Sequence, residues 1–118
     1  MNALGRHLLV ELHECDKGVL NDLGFLRRVM VDAAIGCGAV VLGESFHHFS
    51  PQGVSGVVII AESHLSIHTW PEHGYAAVDV FTCGTSVRPE KAAEELIEKL
   101  GSRHHSLVEI PRGVLVAV

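Results

Sequence analysis

Residues 61 to 84, AESHLSIHTWPEHGYAAVDVFTCG, bring together three acids, two serines, three histidines and one thiol within a stretch that reads as strand. Side chains of these types act as general acids and bases, as nucleophiles or as metal ligands. Alternate residues of an extended chain share a face. His64, Ser66, His68 and Trp70 therefore point to one side while Leu65, Ile67 and Thr69 point to the other. Asp79, Phe81 and Cys83 likewise share a face of the next strand. A hairpin through Pro71 to Gly74 sets His68 beside Cys83 only in a suitable register, which the residue order leaves open. Taken singly, Ser63 reads as an ordinary strand or turn serine, His68 as a hydrogen-bonded structural histidine and Cys83 as a small interior residue.

Nine histidines also raise a metal-binding module or a zinc hydrolase built on His47, His48, His64, His68 and His73. The spacing argues against both. His64 and His68 are four apart, which aligns ligands on a helix but separates them by roughly 13 Å on a strand. His47 and His48, as strand neighbours, point to opposite faces, and no H-E-x-x-H occurs. No metal is expected.

The elements that must position these groups follow from the hydrophobic pattern. Arg6 to His13 reads as a strand ending at the polar turn Glu14 to Gly18. Leu20, Leu23, Leu26, Met30 and Ala33 or Ala34 then recur at steps of three and four, predicting a helix with one buried stripe, stopped by Gly36 and Gly38. Ala39 to Phe49 is extended, and Ser50-Pro51-Gln52-Gly53 is a turn. Val54 to Glu62, His64 to Trp70 and Tyr75 to Cys83 read as three further strands. Pro89 opens a second amphipathic helix with Ala92, Ala93, Leu96, Ile97 and Leu100 on one side. Leu107 to Ile110 and Val114 to Val118 are short terminal strands around Pro111.

This order predicts one α+β domain over residues 1 to 118, a two-layer sandwich of a mainly antiparallel sheet with two helices on one face. The other face needs a cover, because Val57 to Ala61 and Ala76 to Phe81 are largely apolar on both alternating sides. A second copy supplies it economically, giving an αββα homodimer with isologous contacts. A net charge of -5, with six Arg and three Lys scattered along the chain, gives no basic patch, so nucleic acid is not an expected partner. Met1 to His7 lacks the apolar core of a signal peptide and no apolar run approaches the roughly 20 residues of a membrane helix. A cytoplasmic protein is expected. Cys15, Cys37 and Cys83 are odd in number and contain no C-x-x-C pair, so neither a disulfide framework nor a thiolate zinc site is indicated.

The segment 61 to 84 resembles the processing and active-site region of the small prokaryotic S-adenosylmethionine decarboxylase proenzymes, and GRHLLVELHECD at 5 to 16 and FHHFSPQGVSGVVI at 46 to 59 are similar to that family as well. The resemblance implies autocatalytic cleavage between Glu62 and Ser63, giving chains 1 to 62 and 63 to 118. In that chemistry the Ser63 hydroxyl attacks the Glu62 carbonyl, the amide becomes an ester, and β-elimination followed by hydrolysis leaves a pyruvoyl group at position 63. A planar amide resists such attack, so distortion and a stabilised oxyanion are required. Residues matching Ser55 and His68 assist. The pyruvoyl ketone then takes the place of pyridoxal phosphate in decarboxylating S-adenosylmethionine for spermidine synthesis. Cys83 matches the proton donor, a role that suits a thiol since ordinary thiols are mostly protonated at neutral pH. Glu72 matches a substrate-binding acid for ribose hydroxyls, and Phe49 and Trp70 are placed to sandwich the adenine and sulfonium.

The lysines agree with a pyruvoyl. Lys17, Lys91 and Lys99 are the only three, one in a turn and two on the outer side of the second helix, poor places for a buried cofactor aldehyde. Two alternatives stand beside this reading: a pyruvoyl-dependent arginine or ornithine decarboxylase of the same family, and a non-enzymatic scaffold or His-rich metal-binding protein.

Overall fold

The computed structural model describes residues 3 to 115. Six strands, β1 (Ala3–His13), β2 (Val40–His48), β3 (Val54–Ala61), β4 (Ser63–Trp70), β5 (Tyr75–Cys83) and β6 (His104–Val114), form one sheet in the order β2-β3-β4-β5-β1-β6. Every neighbouring pair is antiparallel. Three helices, α1 (Lys17–Leu20), α2 (Leu23–Gly36) and α3 (Pro89–Lys99), complete the chain, with a short 3₁₀ turn at Pro71–His73.

The core lies between sheet and helices. Leu8, Val10 and Leu12 of β1, Leu65 and Ile67 of β4 and Val78 and Val80 of β5 are buried on the inner face, as the alternation requires. Leu26, Met30, Ala33 and Ala34 of α2 and Ala92, Ala93 and Leu96 of α3 close over them. The outer face is a different surface: Ile59, Trp70, Val108 and Ile110 are 48%, 41%, 58% and 42% exposed on it. The α+β class, the single antiparallel sheet and the one-sided helices are as the sequence predicts.

Two elements differ. The helix expected from Leu20 to Ala34 is broken at Asn21-Asp22, because Asp22 accepts from the Phe25 N–H at 3.0 Å and so starts a new helix. Asp16 caps α1 in the same way through the Val19 N–H. The two short C-terminal strands are one strand, running through Pro111 opposite Arg6. Half the N–H groups of an edge strand have no neighbour to bond, so a proline there removes little. Of the strand expected at Val114 to Val118, Val114 ends β6 and residues 116 to 118 lie outside those described, as do Met1 and Asn2.

Two contacts fix the end of the sheet that matters below. Buried Thr69 accepts from the Val54 N–H at 2.9 Å and donates to the Leu20 carbonyl at 2.8 Å, joining β3, β4 and α1. The ring of Phe46 fills the space beside Gly56, its register partner, on the inner face. A Cβ at Gly56 runs into that ring, so Gly56→Ala is expected to cost about 1–3 kcal/mol, read as a lower midpoint in denaturant with little change in slope.

Candidate functional site

The residues singled out by sequence fall in two groups at opposite ends of β4, with Ser55, His68, Trp70 and Cys83 on the outer face and Ser63 in register with the buried Ile60 and Thr82. The first group surrounds the turns at one end of the sheet. The Phe49 N–H donates to the Gly53 carbonyl at 2.8 Å, closing the β2–β3 turn, and Asn21 Oδ1 accepts from the Gly53 N–H at 3.0 Å, tying that turn to α1. Beside it, Pro71 starts the 3₁₀ turn and Gly74 at φ 60 ends it, a left-handed position that suits glycine. These turns set Phe49, Ser55, His68, Trp70 and Glu72 around one hollow of about 340 Å³. Ser55 and His68 are register partners, with Ser55 Oγ and His68 Nδ1 2.8 Å apart. The Ser55 hydroxyl therefore fixes the ring and leaves Nε2 to face outward.

The second group sits at the β3–β4 hairpin. Glu62 alone connects the strands, and Ser63 has φ 104, a conformation that side-chain-bearing residues adopt at a cost of about 1–3 kcal/mol. Ser63 is opposite Thr82, and its Oγ lies 3.4 Å from His64 Nδ1. Cys83 ends β5 opposite Gly5 and is partly exposed, whereas burial pushes the thiols of Cys15 and Cys37 upward. A buried, protonated thiol is inert, so Cys83 is the cysteine within reach of a ligand.

The register settles the question of His68 and Cys83. His68 pairs with Ala77, whose side chain shares a face with that of Cys83, so both groups lie on the outer side. They stand six residues apart along β5, about 20 Å. His68 and Ser63 are five residues apart on β4, about 17 Å by the same rise. One chain thus holds the two groups of residues apart and does not bring them together.

Between them runs a polar row that sequence reasoning did not assemble. Ser66 Oγ donates to Asp79 Oδ2 at 3.2 Å, Asp79 Oδ1 is 2.9 Å from His7 Nε2, and Arg112 donates to His7 Nδ1 at 3.1 Å. Strand parity placed Ser66 and Asp79 each on a face of its own strand, and the β4–β5 register joins those faces; His7 and Arg112 arrive only through the pairing of β1 with β5 and β6. Of the histidines, His47 lies opposite Ser55 while His48 reaches Asn21, and among the described residues no three His, Cys, Asp or Glu side chains converge as metal ligands.

The family model described as S-adenosylmethionine decarboxylase matches residues 6 to 113, nearly the whole chain. The chain belongs to the S-adenosylmethionine decarboxylase family. It is similar to the S-adenosylmethionine decarboxylase proenzyme of Clostridium tetani, 57% identical over 114 residues that make up 97% of this chain and 90% of that protein. The proenzyme of Acetivibrio thermocellus is 55% identical over 97% of this chain and 92% of its own. Among solved structures, the adenosylmethionine decarboxylase of Aquifex aeolicus superposes with a TM-score of 0.91 at 33% identity, covering 98% of this chain and 96% of that one. Membership of the S-adenosylmethionine decarboxylase family agrees with the resemblance carried by residues 61 to 84. The comparisons lend nothing to the arginine or ornithine, metal-binding or scaffold alternatives. Among the described residues no helix is long and apolar enough to cross a membrane.

Proposed function

We propose that this chain cuts itself between Glu62 and Ser63, and that the mature protein decarboxylates S-adenosylmethionine at sites built across a homodimer. The observation that carries the reading is the placement of Phe49, Ser55, His68, Trp70 and Glu72 at one end of β4 and of Glu62, Ser63 and Cys83 at the other, with His68 and Cys83 both on the uncovered outer face. A two-fold axis lying between two face-to-face sheets and crossing the strands at the level of Leu65 and Ser66 exchanges the ends of β4. It sets His68 of one protomer over Ser63 of its partner. The apolar Ile59, Val108 and Ile110 are covered by the same act.

Ser63 suits a pyruvoyl precursor. It is the first residue after a one-residue connection, its positive φ departs from relaxed strand geometry, and its hydroxyl is near an imidazole. When formed, the pyruvoyl supplies an electron sink for the pair left as carboxylate departs. The chain's own groups do the rest. His68, oriented by Ser55, moves the proton of the attacking hydroxyl during self-cleavage. Cys83 holds the proton delivered to the product carbon. Glu72 accepts from ribose hydroxyls, and the rings of Phe49 and Trp70 flank the adenine and the positively charged sulfur. Three free thiols in the chain suit a reducing cytoplasm, which we take as its location.

Purified protein is expected to run as two bands on a denaturing gel, with the 63–118 fragment blocked at its first residue by a mass fitting pyruvoyl. Carbon dioxide release is expected from S-adenosylmethionine and not from arginine or ornithine. An uncut chain with a normal Ser63 in active protein sinks the proposal. Cys83→Ala is expected to cleave normally yet turn over about 10²- to 10⁴-fold more slowly, the range for loss of a positioned proton donor.

A further inference from the structure

Trp70 walls the hollow that also holds Phe49 and Glu72, and the same indole walls a second hollow of about 470 Å³ lined by Glu11, His13, His73 and Tyr75. The indole therefore stands as a partition, and what lies behind it sets its plane. Behind it is Tyr75, its register partner across the β4–β5 hairpin, with ring centroids 5.3 Å apart and planes inclined by 31°. Tyr75 is itself stacked on His13 of β1 at 5.1 Å, and His13 meets His104 of β6 at 5.8 Å. Four rings thus form a row across four adjacent strands, ending at the pocket.

Tyr75 is the fixed member of this row. Its ring is held by His13, and its hydroxyl donates to Glu11 Oε2. Burial, with Glu11 beside it, pushes that hydroxyl up to about 12, so it remains a donor throughout the range in which the protein works. Trp70 has less to hold it: it is the last residue of its strand and 41% exposed. An exposed indole retains alternative rotamers unless a neighbour removes them, and a stacking partner gains affinity when its ring is already in the bound orientation.

We infer that Tyr75, anchored by Glu11, is a positioning residue that fixes the plane of Trp70 and so presents a ready-made stacking wall to the adenosyl group of the substrate. The inference rests on the proposed role of Trp70. Tyr75 touches neither the substrate nor the reacting atoms, so it acts on binding and leaves the chemical step alone.

Trp70 is the single tryptophan of the chain, so emission excited at the red edge of the indole band, where tyrosine does not absorb, reports on it alone. Tyr75→Leu, which removes the ring behind the indole, is expected to lower the emission anisotropy of the mature protein without ligand. It is also expected to raise KM for S-adenosylmethionine roughly three- to tenfold, the factor an aromatic pair is worth, with kcat within about twofold. Tyr75→Phe keeps the ring and is expected to recover most of the loss, and Glu11→Gln, which keeps an acceptor, is expected to stay near wild type. Normal cleavage into two fragments shows that each variant has folded. Unchanged anisotropy and KM in Tyr75→Leu overturn the inference, as does a fall in kcat at constant KM. If Trp70→Leu also leaves KM unchanged, the reading of the pocket is what has failed, and the inference falls with it.

Discussion

Replacing Ser63 with alanine is expected to leave one uncut polypeptide, visible as a single band and a single mass, and to reduce carbon dioxide release by at least about a millionfold, to the uncatalysed level. The methyl group has no oxygen with which to attack the Glu62 carbonyl, so no ester forms and no ketone is made at position 63. The fold is expected to survive, since Ser63 donates no hydrogen bond to the core and its register partner Thr82 is buried independently of it. Alanine at φ 104 carries the same backbone penalty as serine, so the denaturation midpoint should hardly move. A variant that still splits at this position, or that remains active as one chain, contradicts self-cleavage through the side chain of residue 63.

A mixed dimer gives the second large effect. Cys83→Ala and Glu72→Gln damage groups from the two ends of β4, so each variant alone is expected to have weak activity. Co-expression with random pairing puts half of the molecules into mixed dimers, each with one site carrying both lesions and one carrying neither. Activity is then expected to recover to about a quarter of wild type. If each site were assembled within a chain, every site in the mixture would carry one lesion and no recovery would occur. The separation of about 20 Å between His68 and Cys83 along one sheet makes the first outcome the expected one.

The strands around the site were legible because their alternation is strong: Leu65, Ile67 and Thr69 are buried and His64, Ser66, His68 and Trp70 face outward, as parity requires. The break between α1 and α2 was not, since the apolar period runs on through Leu20, Leu23 and Leu26 and only the side chain of Asp22 decides that a new helix begins. The continuity of β6 was hidden for the opposite reason. Pro111 and Gly113 are breaking signals in general but are tolerated at a sheet edge. Within the site, residue identities were carried by the family resemblance and faces by parity. Distances were not: a hairpin register is fixed by turn geometry and long-range packing, and it alone determines that Ser55 meets His68 while Cys83 lies remote from both. The contacts of His7 with Asp79 and of Tyr75 with Glu11 span 72 and 64 positions in sequence, beyond the reach of any local pattern.

If the chain is cut between Glu62 and Ser63 as proposed, the order β2-β3-β4-β5-β1-β6 has a consequence for the life of the molecule. The first fragment keeps β1, β2 and β3 and the second keeps β4, β5 and β6, so β1 is threaded between two strands of the other piece. Three seams of backbone hydrogen bonds, β3 to β4, β5 to β1 and β1 to β6, hold the pieces together alongside a shared core and side-chain bonds such as Ser55 to His68 and Tyr75 to Glu11. They do not drift apart while the sheet stands. Once melted, however, the two pieces must find each other again by diffusion, so renaturation becomes dependent on concentration in a way the uncut precursor never experiences.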